Sequence, residues 1–207
     1  MTRLYAILDV DACAARGLKA RDVFQAWLGA GVRLIQLRAK QLPSGSFLEL
    51  AEAFAREAAS AGATFIVNDR ADIARLAGAS GVHVGQADLT PADARLVVGE
   101  SATVGVSTHN DEQIRLTLAG PVDYVAIGPV FSTSSKDRPD PVVGLDGVRR
   151  AREIMASSGR PLVAIGGITL EHARSVIDAG ADSVAVISDL LADEPSARAR
   201  AFLDLLA

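Results

Sequence analysis

The fold of this chain is decided by the stretch Pro161-Leu162-Val163-Ala164-Ile165-Gly166-Gly167-Ile168-Thr169. A short apolar run with β-branched residues, bounded by turn signals, is typical of a strand that is buried on both faces. Two glycines at its end let backbone N–H groups approach a bulky neighbour, and a following helix would add its positive N-terminus. An anion such as phosphate fits such a place. A tight strand-to-helix turn without a ligand explains the same residues equally well.

Length and composition narrow the class of protein. The 207 residues suffice for one substantial core and are few for two, so we expect one domain over residues 1–207. Hydrophobic residues make up 49% of the chain and aromatic residues only 4%, which favours parallel strands under helices over an all-β sandwich. The net charge of −4, without a basic run, argues against a nucleic-acid surface.

The sequence shows no pair of cysteines, no leader peptide and no membrane-spanning run, and these features bear on the compartment of the protein. The single cysteine, Cys13, allows no disulfide within the chain, and the sequence assigns it no role. The first residues show neither the apolar core nor the cleavage site of a leader peptide, and no apolar run is long enough to span a bilayer. We therefore expect a cytoplasmic protein without membrane partners.

One alternation of strand and helix repeats along the whole chain. The pattern predicts strands at Leu4 to Asp9, Leu34 to Arg38, Thr64 to Asn68, Val82 to Gly85, Thr103 to Ser107, Tyr124 to Val130, Leu162 to Ile165 and Ser183 to Ile187. It predicts helices at 22–30, 47–61, 72–77, 91–98, 111–118, 145–157, 170–179 and 197–206. Eight such units without a composition break indicate an α/β fold, a single (β/α)8 TIM barrel. An open doubly wound sheet is the alternative, but it carries fewer strands and fewer polar strand ends.

In such a barrel the active site lies at the carboxyl ends of the strands, and the second strand ends in charge. Gln36, Arg38 and Lys40 share one face by the period of two, so two cations and an amide can converge on one anion. A solvated strand end with ordinary surface charges is the alternative. Arg38 on an otherwise buried strand needs a partner, which favours the anion site.

Two carboxylates follow the next strands. Asp69 ends the third strand and Asp88 follows the fourth, so both are expected on neighbouring parts of the rim. Hard oxygen ligands completed by water and phosphate oxygens are how proteins usually hold Mg²⁺. Each aspartate alone would more often cap a helix. His83, among apolar neighbours, is interpreted as a structural residue.

The later strand ends offer hydroxyl groups, and the loop after the sixth strand adds the lysine Lys136. Ser107 and Thr108 offer hydroxyls to the mouth, although Thr108 or Asn110 could instead cap the next helix. The long loop after the sixth strand, residues 132–140, suits phosphate binding and closure, with an irregular surface loop as the alternative. Because the loops after strands seven and eight form the usual phosphate pocket of this fold, Ser188 beside the glycine pair favours a phosphate site. The residues alone thus predict a Mg²⁺-assisted reaction between a diphosphate and a phosphate-bearing partner.

Seven ordered motifs make the chain resemble the thiamine-phosphate synthase family. They are Gln36-Leu37-Arg38-Ala39-Lys40, Asn68-Asp69-Arg70, Gly81 through Asp88, Gly105-Val106-Ser107, Gly128-Pro129-Val130-Phe131 through Lys136, Ala164-Ile165-Gly166-Gly167-Ile168 and Val186-Ile187-Ser188. Each motif is weak alone, but together they span nearly the whole chain. The resemblance implies condensation of a pyrimidine diphosphate with a thiazole phosphate to give thiamine phosphate and pyrophosphate.

The resemblance also implies a role for each matching residue. The pyrimidine diphosphate would contact Gln36, Leu37, Arg38, Ala39, Lys40, Asn68, Ser107 and Lys136, of which Arg38, Lys40, Ser107 and Lys136 would be catalytic. Mg²⁺ would be held by Asp69 and Asp88. The thiazole phosphate would be held by Thr133, Ser134, Ser135, Gly167, Ile187 and Ser188.

Two positions depart from the family pattern, since Ala39 stands where an acidic residue is common and Ser135 where threonine is frequent. A thiazole tautomerase-like isomerase is the rival within the same fold, and it would not need the diphosphate and metal residues. A non-catalytic phosphate-binding barrel is the alternative of another class. The sequence leaves the oligomeric state open, with a homodimer among the options.

Overall fold

The computed structural model describes residues 1–133 and 140–207 and confirms the predicted barrel. Eight parallel strands close in chain order, with β8 paired to β1. Their bounds are β1 Leu4–Asp9, β2 Leu34–Arg38, β3 Thr64–Asn68, β4 Gly81–Val84, β5 Thr103–Thr108, β6 Tyr124–Ile127, β7 Leu162–Ile165 and β8 Ser183–Val186.

Helices follow the strands on the outside of the barrel. They are α1 Val10–Ala15, α2 Ala20–Ala30, α3 Ser44–Ser60, α4 Ala71–Ala77, α5 Pro91–Val98, α6 Asp111–Leu118, α7 Gly144–Met155, α8 Leu170–Asp178 and α9 Pro195–Leu206, with a 3₁₀ turn at Ser188–Leu190. The sequence pattern did not predict α1 or the 3₁₀ turn, because each is too short to show a periodic apolar face. No helix within the described ranges is long and apolar enough to cross a membrane.

Local chemistry explains where several helices begin and end. Thr90 caps α5 by accepting the Asp93 N–H at 3.2 Å, and Pro91 occupies the first helical turn. Asn110 caps α6 by accepting the Gln113 N–H at 2.9 Å, which confirms its interpretation as a cap. Thr108 is fully buried and donates to the Ala126 carbonyl at 2.8 Å, so the expectation that its hydroxyl faces the mouth was wrong.

The sixth strand is shorter than the predicted Tyr124 to Val130. It ends at Ile127, and after Pro129 the chain passes over the carboxyl end of β7. There Val130 N–H donates to the Ile165 carbonyl at 2.9 Å, and Phe131 N–H donates to the Gly166 carbonyl at 3.0 Å. The first part of the loop after β6 is therefore anchored on the glycine pair.

The core has two layers, as a barrel requires. Outward-facing residues such as Leu8, Ile35 and Leu37 pack against the helices. A smaller inner cluster fills the barrel and comprises Tyr5, Ile7, Leu34, Ile66, Tyr124, Ala126, Val163 and Ala185. The inner residues alternate with the outer ones along each strand, so the period of two determines which side chains reach the mouth.

Candidate active site

A cavity of about 310 Å³ lies inside the barrel mouth, at the carboxyl ends of the strands. Its floor consists of inner-layer residues, including Tyr5, Ile7, Ala126 and Val163. Eight residues predicted for the site line it together: Gln36, Arg38, Asn68, Ser107, Thr133, Gly167, Ile187 and Ser188. The structure therefore brings these predicted residues together at one cavity.

Arg38 is fixed by a residue that the sequence reasoning missed. Its guanidinium forms a salt bridge with Asp9, at the end of β1, and the strand register places the two residues side by side. Asp9 is 3% exposed, and its other oxygen accepts the Ala12 N–H at 2.9 Å to cap α1. Asp9 thus neutralises and orients Arg38 at the cavity wall. The signal was present, because Tyr5, Ile7 and Asp9 share the inner face of β1.

Asp69 lies at the rim in an unusual backbone conformation. Its φ is 62°, the only left-handed φ of a non-glycine residue in the described chain. The Asn68 carbonyl accepts the Arg70 N–H at 2.7 Å across it, which makes the segment a γ-turn. The Asp69 N–H donates to the His83 carbonyl at 2.7 Å, so neighbouring β4 supports the turn. Strained backbone of this kind is concentrated at functional sites.

The Asp69 carboxylate faces a second carboxylate and a cation. Its pKa is raised, mainly by burial and further by the charge of Asp88, while an ion pair with Lys40 opposes the rise. Asp88 also accepts the Gly85 N–H at 2.8 Å, which fixes its position after β4. Lys40, Asp69 and Asp88 therefore form one cluster, which together with Arg38 we name the cationic rim.

The opposite side of the mouth is formed mainly by backbone. In a closed barrel of eight strands, β7 stands across from β3, so the loops after β7 and β8 face the Asp69 turn. Gly166 and Gly167 have φ values of 99° and 65°. Together with Ile187 and Ser188 they form what we name the glycine rim.

The glycine pair approaches protein backbone more closely than the sequence suggested. A Cβ on Gly167 would lie 2.5 Å from the Ser132 carbonyl oxygen, and one on Gly166 would lie 2.5 Å from Pro129 Cα. The glycines thus leave room for the loop after β6, which passes beside the cavity. This loop is one of the bulky neighbours that the glycine pair was expected to approach.

A carboxylate of the protein itself binds the first turn of α8. The Leu170 N–H donates to the Asp189 carboxylate at 2.7 Å, and Arg198 holds both oxygens of that carboxylate at 2.7 Å. Asp189 follows β8 and lines the cavity. The sequence analysis did not identify Asp189. Its carboxylate takes up one of the α8 N–H groups that were expected to bind phosphate.

A chain of buried hydrogen bonds runs under the cavity. Gln36 Nε2 donates to the Tyr5 hydroxyl at 2.7 Å, and the Tyr5 and Tyr124 hydroxyls are 2.9 Å apart. His83 Nδ1 lies 2.8 Å from the Tyr124 hydroxyl, and His83 Nε2 lies 2.8 Å from Ser107 Oγ. Because His83 connects the floor to Ser107 at the cavity wall, its interpretation as a purely structural residue is incomplete.

Some predicted site residues lie elsewhere. The Leu37 side chain is fully buried in the outer layer and Ala39 is 6% exposed there, so neither side chain reaches the cavity. This follows from the period of two, since both positions alternate with Gln36, Arg38 and Lys40. Ser134, Ser135 and Lys136 lie outside the described residues.

Comparisons with known proteins match nearly the whole chain. A family model described as Thiamine monophosphate synthase matches residues 4–190. A thiamine-phosphate synthase of Koribacter versatilis (strain Ellin345) is 52% identical over 208 residues, covering 100% of this chain and 96% of the relative. One of Methanoculleus marisnigri is 41% identical, covering 99% of this chain and 95% of the relative.

A solved structure is similar over the same length. The thiamine phosphate pyrophosphorylase from Pyrococcus furiosus has a TM-score of 0.86 at 29% identity, covering 99% of this chain and 95% of that one. Family model, relatives and structure all support the resemblance predicted from the seven motifs. The chain belongs to the thiamine monophosphate synthase family, transferases of thiamine biosynthesis.

Proposed function

We propose that this barrel condenses 4-amino-2-methyl-5-(diphosphooxymethyl)pyrimidine with 4-methyl-5-(2-phosphooxyethyl)thiazole, giving thiamine phosphate and pyrophosphate. The observation that carries the proposal is the contrast across the barrel mouth, where Arg38 lines the cavity and Lys40, Asp69 and Asp88 lie outside its lining. The cationic rim suits a diphosphate, and the glycine rim suits a phosphate monoester. Two substrates that each carry phosphate can therefore enter the same mouth from opposite sides.

The pyrimidine diphosphate would lie along β2 to β5. Arg38, held by Asp9, and Lys40 would bind its phosphates, with Lys136 as a further cation from the loop after β6. Gln36, Asn68 and Ser107 line the cavity below and would contact the pyrimidine. Leu37 and Ala39 would contribute backbone only, since their side chains lie in the outer layer.

Mg²⁺ fits the cationic rim by the chemistry of its donors. Asp69 and Asp88 offer hard carboxylate oxygens, and the pKa of Asp69 is raised mainly by burial and further by the charge of Asp88, so a cation bound beside it would be favourable. No cluster of three or more His, Cys, Asp or Glu residues occurs in ranges 1–133 and 140–207, so diphosphate oxygens and water would complete the shell. Bound there, Mg²⁺ would stabilise the negative charge on the departing diphosphate.

The thiazole phosphate would be bound by the glycine rim and the start of the loop after β6. Gly167, Ile187 and Ser188 would offer backbone N–H groups and a hydroxyl, and Thr133 lines the same cavity. Ser134 and Ser135 are assigned to this phosphate by the resemblance. This phosphate is remote from the nitrogen that forms the new bond. Holding it would therefore orient the nucleophile without taking part in the chemistry.

In the reaction, the bond between the pyrimidine methylene carbon and the diphosphate oxygen would break first. The electron pair leaves with the diphosphate, whose charge Arg38, Lys40 and Lys136 would stabilise. The resulting pyrimidine-stabilised cation would be captured by the thiazole nitrogen. The apolar floor around Ile7, Ala126 and Val163 would keep water away from that cation.

A direct assay tests the proposal. Thiamine phosphate formed from the two substrates is measured with Mg²⁺ and after chelation, and we expect product only with Mg²⁺. Isomerisation of a thiazole phosphate without condensation would instead support the tautomerase-like alternative. Binding of both substrates without turnover would support a non-catalytic barrel. The homodimer, the cytoplasmic location and one domain over residues 1–207 stay predictions.

A further inference from the structure

We propose that Gln36, Tyr5, Tyr124 and His83 form a directional relay that makes Ser107 a hydrogen-bond donor toward the pyrimidine diphosphate. The identity of that ligand rests on the proposed function. The direction of the relay does not, because it is a property of buried protein groups. Tyr5, Tyr124 and His83 are positioning residues in this proposal, since they act through Ser107.

The relay begins at the amide nitrogen of Gln36, an atom that can only donate. The Gln36 side-chain nitrogen carries two protons and no acceptor, so the Tyr5 hydroxyl accepts at 2.7 Å. Tyr5 then has one proton left, and the Tyr124 hydroxyl is 2.9 Å away. Tyr124 in turn has one proton, and His83 Nδ1 is 2.8 Å away.

The reverse direction would leave a buried proton unpaired. If Tyr124 donated to Tyr5, the Tyr5 proton would have no acceptor among the hydrogen bonds of the described residues, and a buried donor without an acceptor is unfavourable. Both phenols are about 1% exposed, and burial raises the pKa of each. Each phenol therefore keeps its one proton at neutral pH, and with the Gln36 amide nitrogen toward Tyr5 the donors run from Gln36 to Ser107.

The direction determines the state of His83 and of Ser107. A neutral imidazole that accepts at Nδ1 carries its proton on Nε2, and this N–H donates to Ser107 Oγ at 2.8 Å. Ser107 Oγ then accepts from His83, so the Ser107 hydroxyl proton points away from His83. Since Ser107 lines the cavity, that proton is available to an acceptor of the substrate, either a ring nitrogen or a phosphate oxygen.

A glycine makes room for the relay. Gly105 on β5 pairs with Tyr124 on β6, and a Cβ at Gly105 would lie 1.9 Å from Tyr124 Cζ. The Tyr124 ring occupies this space and stacks near His83, with ring centroids 5.5 Å apart. The Gly105-Val106-Ser107 motif thus contains both the space for the relay and the residue at its end.

The protein without substrate provides the first test. With ¹⁵N-labelled histidine, two-bond ¹H–¹⁵N correlation spectra report which ring nitrogen of each of the three histidines carries the proton. His109→Asn and His172→Asn remove the other two signals and so assign His83. We expect protonation at Nε2 near neutral pH. Protonation at Nδ1, or a mixture of tautomers, would overturn the relay whether or not the protein makes thiamine phosphate.

Kinetics provide the second test. Tyr124→Phe keeps the ring but removes the donor, and we expect kcat to fall about 10-fold, the size of one lost hydrogen bond, with KM for the thiazole phosphate unchanged. His83→Gln keeps an N–H near the Nε2 position, whereas His83→Asn does not. We expect the glutamine variant to retain at least five-fold more of kcat, a difference of about 1 kcal/mol. Wild-type kcat in Tyr124→Phe, or equal losses in both His83 variants, would contradict the relay.

Discussion

On the cationic rim the functional groups are charged side chains, whereas on the glycine rim they are mainly backbone. The cationic rim contains Asp69, whose backbone is left-handed and whose pKa is raised by burial and by the charge of Asp88, and both features oppose folding. The glycines of the other rim are needed for the fold itself, because the loop after β6 packs where their Cβ atoms would be. We therefore expect substitutions on the cationic rim to lower activity without weakening the fold, and those on the glycine rim to affect binding and folding together.

The largest effect is expected from the two rim carboxylates. Asp69→Ala and Asp88→Ala should each lower Mg²⁺-dependent pyrophosphate release by at least about 100-fold, the size typical of lost transition-state stabilisation, while the barrel stays folded. Pyrophosphate release and circular dichroism are the measurements. Asp93→Ala removes an exposed carboxylate from the N-terminus of α5 and serves as the control. Full activity in both variants would remove the metal assignment.

Next in size is the effect of a methyl group on the glycine rim. Gly167→Ala combines a left-handed φ with a Cβ placed 2.5 Å from the Ser132 carbonyl, so we expect a loss of about 2–4 kcal/mol in unfolding free energy. The displaced loop should also raise KM for the thiazole phosphate about 10-fold. Urea unfolding and steady-state kinetics measure the two effects.

Gly62 offers a matched control for this substitution. Its φ is 64°, against 65° for Gly167, but nothing lies within 4 Å of its Cβ position. Gly62→Ala should therefore cost only about 1–2 kcal/mol, the price of left-handed backbone, and leave KM unchanged. Equal losses in both variants would show that the contact with the loop after β6 is unimportant.

A smaller effect is expected at the partner of Arg38. Asp9→Asn keeps an oxygen to cap α1 but removes the charge that holds the guanidinium. We expect kcat to fall about 10-fold, with KM for the thiazole phosphate unchanged, because one charge-assisted contact loses its alignment. Asp72→Asn, which breaks the exposed pair with Arg70, should leave kcat unchanged. If both variants keep the wild-type kcat, Asp9 does not position Arg38.

The smallest effect is on the pH dependence of stability. Because the pKa of Asp69 is raised in the folded protein, the folded state binds more protons than the unfolded state between the unfolded and folded pKa values. Stability is therefore lost as pH rises through this window. Without Mg²⁺, Asp69→Asn should melt at a higher temperature than wild type at pH 7, and the difference should shrink below pH 3.8, the ordinary value. A lower Tm of the variant at pH 7 would contradict the stated cause.

Much of the fold could be predicted because short apolar runs, typical of strands buried on both faces, alternate with amphipathic helices. The period of two along β2 placed Gln36 and Arg38 at the cavity, and the position of Asn68 at the end of β3 placed it there as well. It could not place Asp189 against Leu170, because a contact between two loops leaves no periodic signal.

The hydrogen-bond relay was missed for a different reason. Tyr5 and Tyr124 are 119 positions apart, and their contact depends on barrel closure and on the space at Gly105. In the sequence, each tyrosine looks like an ordinary core residue of a strand. Only the closed barrel shows that their hydroxyls meet beneath His83.

The central claim is that the cationic rim acts in catalysis and the glycine rim in binding of the thiazole phosphate. One paired measurement tests it. Steady-state kinetics with both substrates varied are recorded for Asp69→Ala and Gly167→Ala under identical conditions. We predict that Asp69→Ala lowers kcat and leaves KM for the thiazole phosphate unchanged, whereas Gly167→Ala raises that KM and changes kcat less than three-fold at saturation. The same pattern of change in both variants would contradict the claim.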